Sequence, residues 1–81
     1  MPGRRSELVE AVELALGGDW EGAHRIAQEI DDDMGMWLHA VVHRIEGDLS
    51  NARYWYGRCG RKLRQDVSAE AELEEIRAAL S

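Results

Sequence analysis

One six-residue pattern occurs twice in this chain, first as Gly18-Asp19-Trp20-Glu21-Gly22-Ala23 and then, 29 residues later, as Gly47-Asp48-Leu49-Ser50-Asn51-Ala52. In each copy the glycine can adopt the left-handed conformation that ends one helix, and the aspartate can accept the free amide hydrogens that begin the next. The small alanine three residues after the tryptophan or leucine allows the two helices to approach closely. The repeat therefore predicts two helical hairpins, each turning at one of these corners.

The rest of the chain predicts an all-α domain of about five helices over residues 1–81. Its only proline is at position 2, and glycines mark the predicted breaks. We expect two antiparallel hairpins over residues 6–30 and 34–64, with Ser6 capping the first helix and Asp33 the third. Apolar residues at the spacing of one buried face extend the fourth helix as far as Leu63. A C-terminal capping helix follows over residues 68–80, and its many glutamates, Glu72 among them, indicate a solvated lid.

Charge is distributed in three blocks. Three bases and nine acids give residues 1–33 a net charge of −6, six bases and two acids give residues 34–64 +4, and one base and five acids give residues 65–81 −4, which sum to −6. Such a chain can neutralise its middle by folding back on itself or by pairing with a second copy, and it need not bind nucleic acid. No apolar run approaches the roughly 20 residues of a membrane-spanning helix, and no signal peptide is evident, so we expect a cytoplasmic location.

The paired helices and their Gly-Asp corners resemble a divergent, shortened tetratricopeptide repeat. Small residues at Ala11, Ala40, Ala23 and Ala52 and the aromatic Tyr56 match the family pattern, whereas the spacing of 29 is shorter than the family's usual 34 or so. The stretch from His43 to Tyr56 is also similar to segments of small uncharacterised bacterial proteins. The resemblance implies a non-catalytic protein-protein interaction module. It also implies that the first helix of each unit lines a concave groove, which assigns to that groove Leu8, Val12, Trp37, Val41 and Arg44.

Two stacked units and a capping helix are fewer than the three or so repeats that a solenoid normally needs to bury its apolar faces. We therefore expect another chain to fill the groove, either a protein partner or the protein itself, with a homodimer favoured.

A second candidate surface is the basic and aromatic segment from Arg53 to Arg64. Its predicted exposed face comprises Asn51, Tyr54, Trp55, Arg58 and Lys62. Such a composition is typical of binding hot spots and also of nucleic-acid or anionic-ligand surfaces. The net charge of −6 and the neighbouring acidic helix favour an ion-pair face over a nucleic-acid surface. Trp55 either lies exposed on this face or packs against the fifth helix.

Two histidines, His39 and His43, lie one helical turn apart and can share a metal ion. Candidate third ligands are His24, Asp31, Asp32 and Glu46. Because both histidines match inward packing positions of the repeat, we interpret them as hydrogen-bonded structural residues and expect no metal or other cofactor. We expect no enzymatic activity either, because the lone Cys59 lies on a predicted buried face and no nucleophile motif or phosphate-binding glycine loop is present.

Overall fold

A computed structural model describes residues 4–81, which form five α-helices and no strands. The helices are α1 (Arg5–Leu16), α2 (Trp20–Ala27), α3 (Asp33–Ile45), α4 (Leu49–Arg58) and α5 (Ala69–Leu80). The predicted all-α class and helix order are confirmed. No helix within this described range is both long and apolar enough to cross a membrane.

The two corners that contain the repeated motif have the same backbone geometry. Gly18 and Gly47 adopt φ values of 96° and 83°, the left-handed conformation that side chains disfavour. Each following aspartate, Asp19 or Asp48, accepts a hydrogen bond from the amide three residues later, at 3.0 and 3.5 Å. Each aspartate's own amide donates to a carbonyl five residues earlier, at 2.8 and 2.9 Å. The repeated sequence therefore forms the same corner twice.

Several predicted helix boundaries were wrong. Ser6 is not a cap, because α1 begins one residue before it and Arg4 occupies the cap position without a side-chain hydrogen bond. Asp32, and not Asp33, caps α3, with its carboxylate accepting the Gly35 amide hydrogen at 2.8 Å. The fourth helix ends at Arg58, so Leu63 lies in the loop that leads to α5.

The helices pack as two hairpins with α5 across them. α1 pairs with α2 and α3 with α4, α2 joins the hairpins by packing on α3, and α5 packs against both α1 and α3. Three apolar side chains of α5, Leu73, Ile76 and Leu80, belong to the same buried core as the hairpins. The C-terminal helix is therefore part of the core and not a solvated lid.

The packing of α5 overturns the predicted open groove. Leu8 and Trp37 are at most 4% exposed, and Val12 and Val41 are fully buried. These residues belong to the core that α5 helps to complete, and no second chain is needed to cover them.

Two helical glycines differ in the space around them, which yields a test of the packing. A Cβ atom on Gly35 would overlap the Ile30 carbonyl oxygen and lie 2.7 Å from Ile30 Cγ2, whereas a Cβ on Gly57 would meet nothing within 4 Å. We predict that Gly35→Ala lowers the free energy of unfolding by roughly 1–3 kcal/mol through overpacking. Gly57→Ala should raise it by roughly 0.5–1 kcal/mol, because alanine restricts the unfolded chain. Urea denaturation measures both, and a Gly35→Ala protein as stable as the parent would contradict this packing.

Candidate functional site

The outer face of α4 carries an ordered group of aromatic and basic side chains. Tyr54 is 56% exposed, and its ring meets that of Trp55 edge to face, with the centroids 5.1 Å apart. The Arg58 guanidinium lies 5.4 and 5.8 Å from the Trp55 and Tyr54 ring centroids and donates a hydrogen bond to the Tyr54 hydroxyl at 3.2 Å. Asn51 is also exposed on α4 but bonds the Asp48 carboxylate. We call Tyr54, Trp55 and Arg58 the α4 face.

The predicted member Lys62 is not part of this group. It lies in the loop after α4 and lines a pocket of about 280 Å³ with Arg53, Tyr56, Arg61 and Leu63. The side chains of the basic segment from Arg53 to Arg64 have different partners and do not form one surface. Arg64 pairs with Glu75 of α5 at 2.8 Å, and the Arg61 guanidinium stacks 3.4 Å from the centroid of the Trp37 ring. The acidic α5 thus neutralises one of these bases, as the sequence predicts for an ion-pair face.

Trp55 is half-buried, and its stacking partner comes from α3. The indole stacks on the His39 ring, with centroids 4.2 Å apart and planes 24° from parallel. The predicted alternative, in which Trp55 packs against the fifth helix, is therefore wrong, because its stacking partner is His39 of α3. This stacking holds Trp55, the inner member of the α4 face, against α3.

Three histidines converge beneath Trp55. His24 comes from α2, and His39 and His43 come from successive turns of α3, so the cluster spans the junction between the hairpins. All three ring-centroid separations lie between 4.7 and 4.9 Å. His24 Nε2 lies 3.1 Å from His39 Nε2, and one ring nitrogen of each histidine lies within 4.8 Å of the others. Of the four third ligands that the sequence offers, the structure brings the His24 ring into contact with the pair and places Glu46 beside the cluster.

Two carboxylates face the outer nitrogens of this cluster. Glu46 places one oxygen 3.1 Å from His24 Nδ1 and the other 3.7 Å from His43 Nδ1. Asp48, the cap of α4, places an oxygen 3.7 Å from the same His43 atom. That nitrogen is buried and has no hydrogen-bond partner among residues 4–81. Glu46 is thus at hydrogen-bond distance from the His24 ring and lies near the His43 ring without bonding it.

The environment of the cluster favours the neutral forms of His39 and His43. Burial, followed by the repulsion of His24 and His43, lowers the pKa of His39 from 6.5 to about 4. Burial and His24 also lower the pKa of His43, against the opposing influence of Glu46 and Asp48. His39 therefore carries no proton charge at neutral pH.

The strongest polar network of the described chain is centred on Glu72, which the sequence places on the solvated side of α5. This carboxylate is 1% exposed and accepts hydrogen bonds from Trp37 Nε1 at 2.8 Å, the Tyr56 hydroxyl at 2.6 Å and Arg44 Nη1 at 2.9 Å. Arg44 also donates to the carbonyl of Val67, just before α5 begins. Arg44 is thus a core ion-pair partner and does not line an open groove.

The remaining nucleophile candidate has an environment that disfavours reactivity. Cys59 is half-buried at the end of α4 and hydrogen-bonds the Tyr56 carbonyl. Burial raises the pKa of its thiol, which reduces the fraction present as the reactive thiolate at neutral pH.

Comparison of the chain with protein-family models, with curated proteins and with solved structures finds no match. Three features of the molecule are therefore the basis for inferring its function: the α4 face, the histidine cluster and the Glu72 network.

We predict that Glu72→Gln costs about 3 kcal/mol of unfolding free energy, because the half-buried Arg44 loses its counter-charge and at least one of the three donors loses its acceptor. Glu70→Gln removes the same charge from an exposed position on the same helix and should cost no more than about 0.5 kcal/mol. Chemical denaturation of both variants provides the measurement. Equal losses in the two would show that Glu72 is not a structural anchor.

The low pKa of His39 predicts acid sensitivity. The unfolded chain binds a proton at His39 near pH 6.5, whereas the folded chain does so only near pH 4, so stability is complete above about 6.5 and falls as the pH drops toward 4. His39 alone accounts for up to about 3 kcal/mol of this loss. Denaturation of the EDTA-treated protein at several pH values measures this loss of unfolding free energy. In the His39→Gln variant the unfolding free energy should fall less steeply as the pH drops. A decline of equal size in the variant would contradict the assignment.

Proposed function

We propose that this chain is a non-catalytic interaction module that associates with a second copy of itself through the α4 face. The observation that carries the proposal is the pre-ordered arrangement of Tyr54, Trp55 and Arg58 on an exposed helix surface. Tyrosine, tryptophan and arginine are the residues most enriched at interface hot spots.

Pre-organisation favours binding at this surface. The stacking of Trp55 on His39 and the hydrogen bond from Arg58 to Tyr54 restrict these side chains before any partner arrives. Side chains that are already ordered lose less conformational entropy on association. The apolar residues of the predicted groove, in contrast, are buried in the core.

Charge complementarity supports a second copy as the partner. Among residues 4–81, four bases of α4 and the loop after it have no carboxylate partner: Arg53, Arg58, Arg61 and Lys62. Within the same described range, three exposed carboxylates near the turn between α2 and α3 have no cationic partner: Glu29, Asp31 and Asp33. The basic end of α4 in one copy therefore complements the acidic turn of another. Complementary charges of this kind select a partner and orient it more than they add affinity.

The proposed relation to tetratricopeptide repeats fits the same role. Support comes from the two successive hairpins and from the matching corner hydrogen bonds at Asp19 and Asp48. The proposal places recognition on the outer side of a hairpin, because α5 occupies the side that the repeat family would use.

We expect light scattering and sedimentation to detect a dimer at high micromolar concentration in low salt, and weaker association in high salt. Tyr54→Ala and Arg58→Glu should each weaken association by about tenfold or more. The matched control is Arg25→Glu, which changes the net charge equally on the acidic part of the chain and should not weaken association.

Two results would overturn the proposal. A strict monomer at high micromolar concentration in low salt would exclude self-association. A dimer that Tyr54→Ala and Arg58→Glu leave unchanged would place the interface elsewhere on the molecule.

A further inference from the structure

We propose that His24, His39 and His43 form a binding site for one transition-metal ion, with zinc as the reference ion. Three imidazoles supply the ligand atoms, and Glu46 and Asp48 form the outer layer that orients them. The site is independent of the proposed dimer, since all five residues belong to one chain.

The ligand atoms already converge. A tetrahedral ion with metal–nitrogen bonds of about 2.0–2.1 Å holds its ligand nitrogens roughly 3.3 Å apart. His24 Nε2 and His39 Nε2 are 3.1 Å apart, and one ring nitrogen of each of the three histidines lies within 4.8 Å of the others. The three ligand atoms need to close by about 1.5 Å at most to meet the spacing of a tetrahedral site.

The outer layer of carboxylates also suits a metal site. Histidines that bind metals nearly always donate their other ring N–H to a carboxylate or carbonyl, which fixes the tautomer and the ring orientation. Glu46 lies at hydrogen-bond distance from His24 Nδ1, and Glu46 and Asp48 both lie 3.7 Å from His43 Nδ1. With protons on these Nδ1 atoms, the Nε2 atoms of His24 and His43 present free lone pairs.

One nitrogen of the cluster is left unsatisfied. His43 Nδ1 is buried without a hydrogen-bond partner among the described residues, although two carboxylates approach it from outside. A buried polar atom without a partner costs free energy and calls for a compensating function. A His43 ring held with its Nδ1–H on Glu46 or Asp48 would satisfy this nitrogen and leave Nε2 as the ligand atom.

Hydrogen bonding among the rings accounts for only part of the arrangement. If His24 Nδ1 donates to Glu46, its Nε2 is an acceptor, and His39 Nε2 must donate the single proton between them. That proton satisfies two of the three rings and leaves His43 outside the network. A metal ion in place of that proton would coordinate all three rings once His39 adopts its Nδ1–H tautomer; its proton then moves from Nε2 to Nδ1 by exchange with solvent, and none is released overall.

The donor set defines the class of ion. Neutral imidazole suits Zn²⁺, Co²⁺, Ni²⁺ and Cu²⁺, whereas Ca²⁺ and Mg²⁺ require oxygen ligands. His24 belongs to the first hairpin and the other two ligands to the second, so the ion would connect the two hairpins. It would also fix the ring on which Trp55 stacks.

The test uses the full chain after treatment with a chelator and its removal. We expect Co²⁺ to give visible absorption bands that saturate at one equivalent. Free Zn²⁺ at a concentration about 100 times its Kd should raise the Tm by about 10–20 °C. Because His24 is partly exposed, the His24→Gln variant should fold yet bind the metal at least about tenfold more weakly. Glu46→Gln should weaken metal binding by roughly 10- to 100-fold without changing the stoichiometry.

Two control variants separate this site from other metal binding. Cys59→Ser removes the only thiol, and Asp31→Asn removes an exposed acid that the sequence offered as a ligand; both should bind metal like the parent. The proposal fails if Zn²⁺ leaves the Tm unchanged and Co²⁺ gives no saturable bands. It also fails if His24→Gln binds as tightly as the parent, which would indicate adventitious surface binding. Since all measurements can be made on monomer, they are independent of the association experiment.

Discussion

The buried carboxylate of Glu72 is the interaction on which the arrangement of the five helices depends. A buried charge is tolerated only when it is paired and hydrogen-bonded, and Glu72 meets this demand with three donors from two other helices. Trp37 and Arg44 come from α3 and Tyr56 from α4, so one side chain of α5 connects to both helices of the second hairpin. Any displacement of α5 would leave several buried polar groups unsatisfied at once.

This constraint determines which surfaces are available for function. Because α5 completes the core on α1 and α3, the apolar faces that these first helices turn inward are covered and not open to a partner. The second helices remain outside, and α4 there presents its aromatic and arginine side chains. The histidine cluster lies between these outer helices and α3, and the contact between Trp55 and His39 joins it to the α4 face. The two proposed sites are therefore physical neighbours with separable tests.

The local features of the fold were predictable from the sequence, and the features that depend on tertiary contacts were not. The Gly-Asp corners follow from backbone conformation and capping, which are properties of a few adjacent residues. The role of Glu72 depends on side chains that lie 16 to 35 residues away, and a glutamate beside an apolar stripe normally indicates solvent. Likewise, the spacing on one helix pairs His39 with His43, but only the packing of α2 on α3 brings the His24 ring against them.

Native-state hydrogen exchange of backbone amides tests most directly whether α5 is part of the core. We expect the amides of Leu73 and Ile76 in α5 to exchange with the same opening free energy as those of Val12 in α1 and Val41 in α3, because a single cooperative core contains all four. If the α5 amides instead exchange through an opening of much lower free energy, the helix is a detachable lid. The groove beneath it would then be open to partners, which contradicts a core that α5 completes.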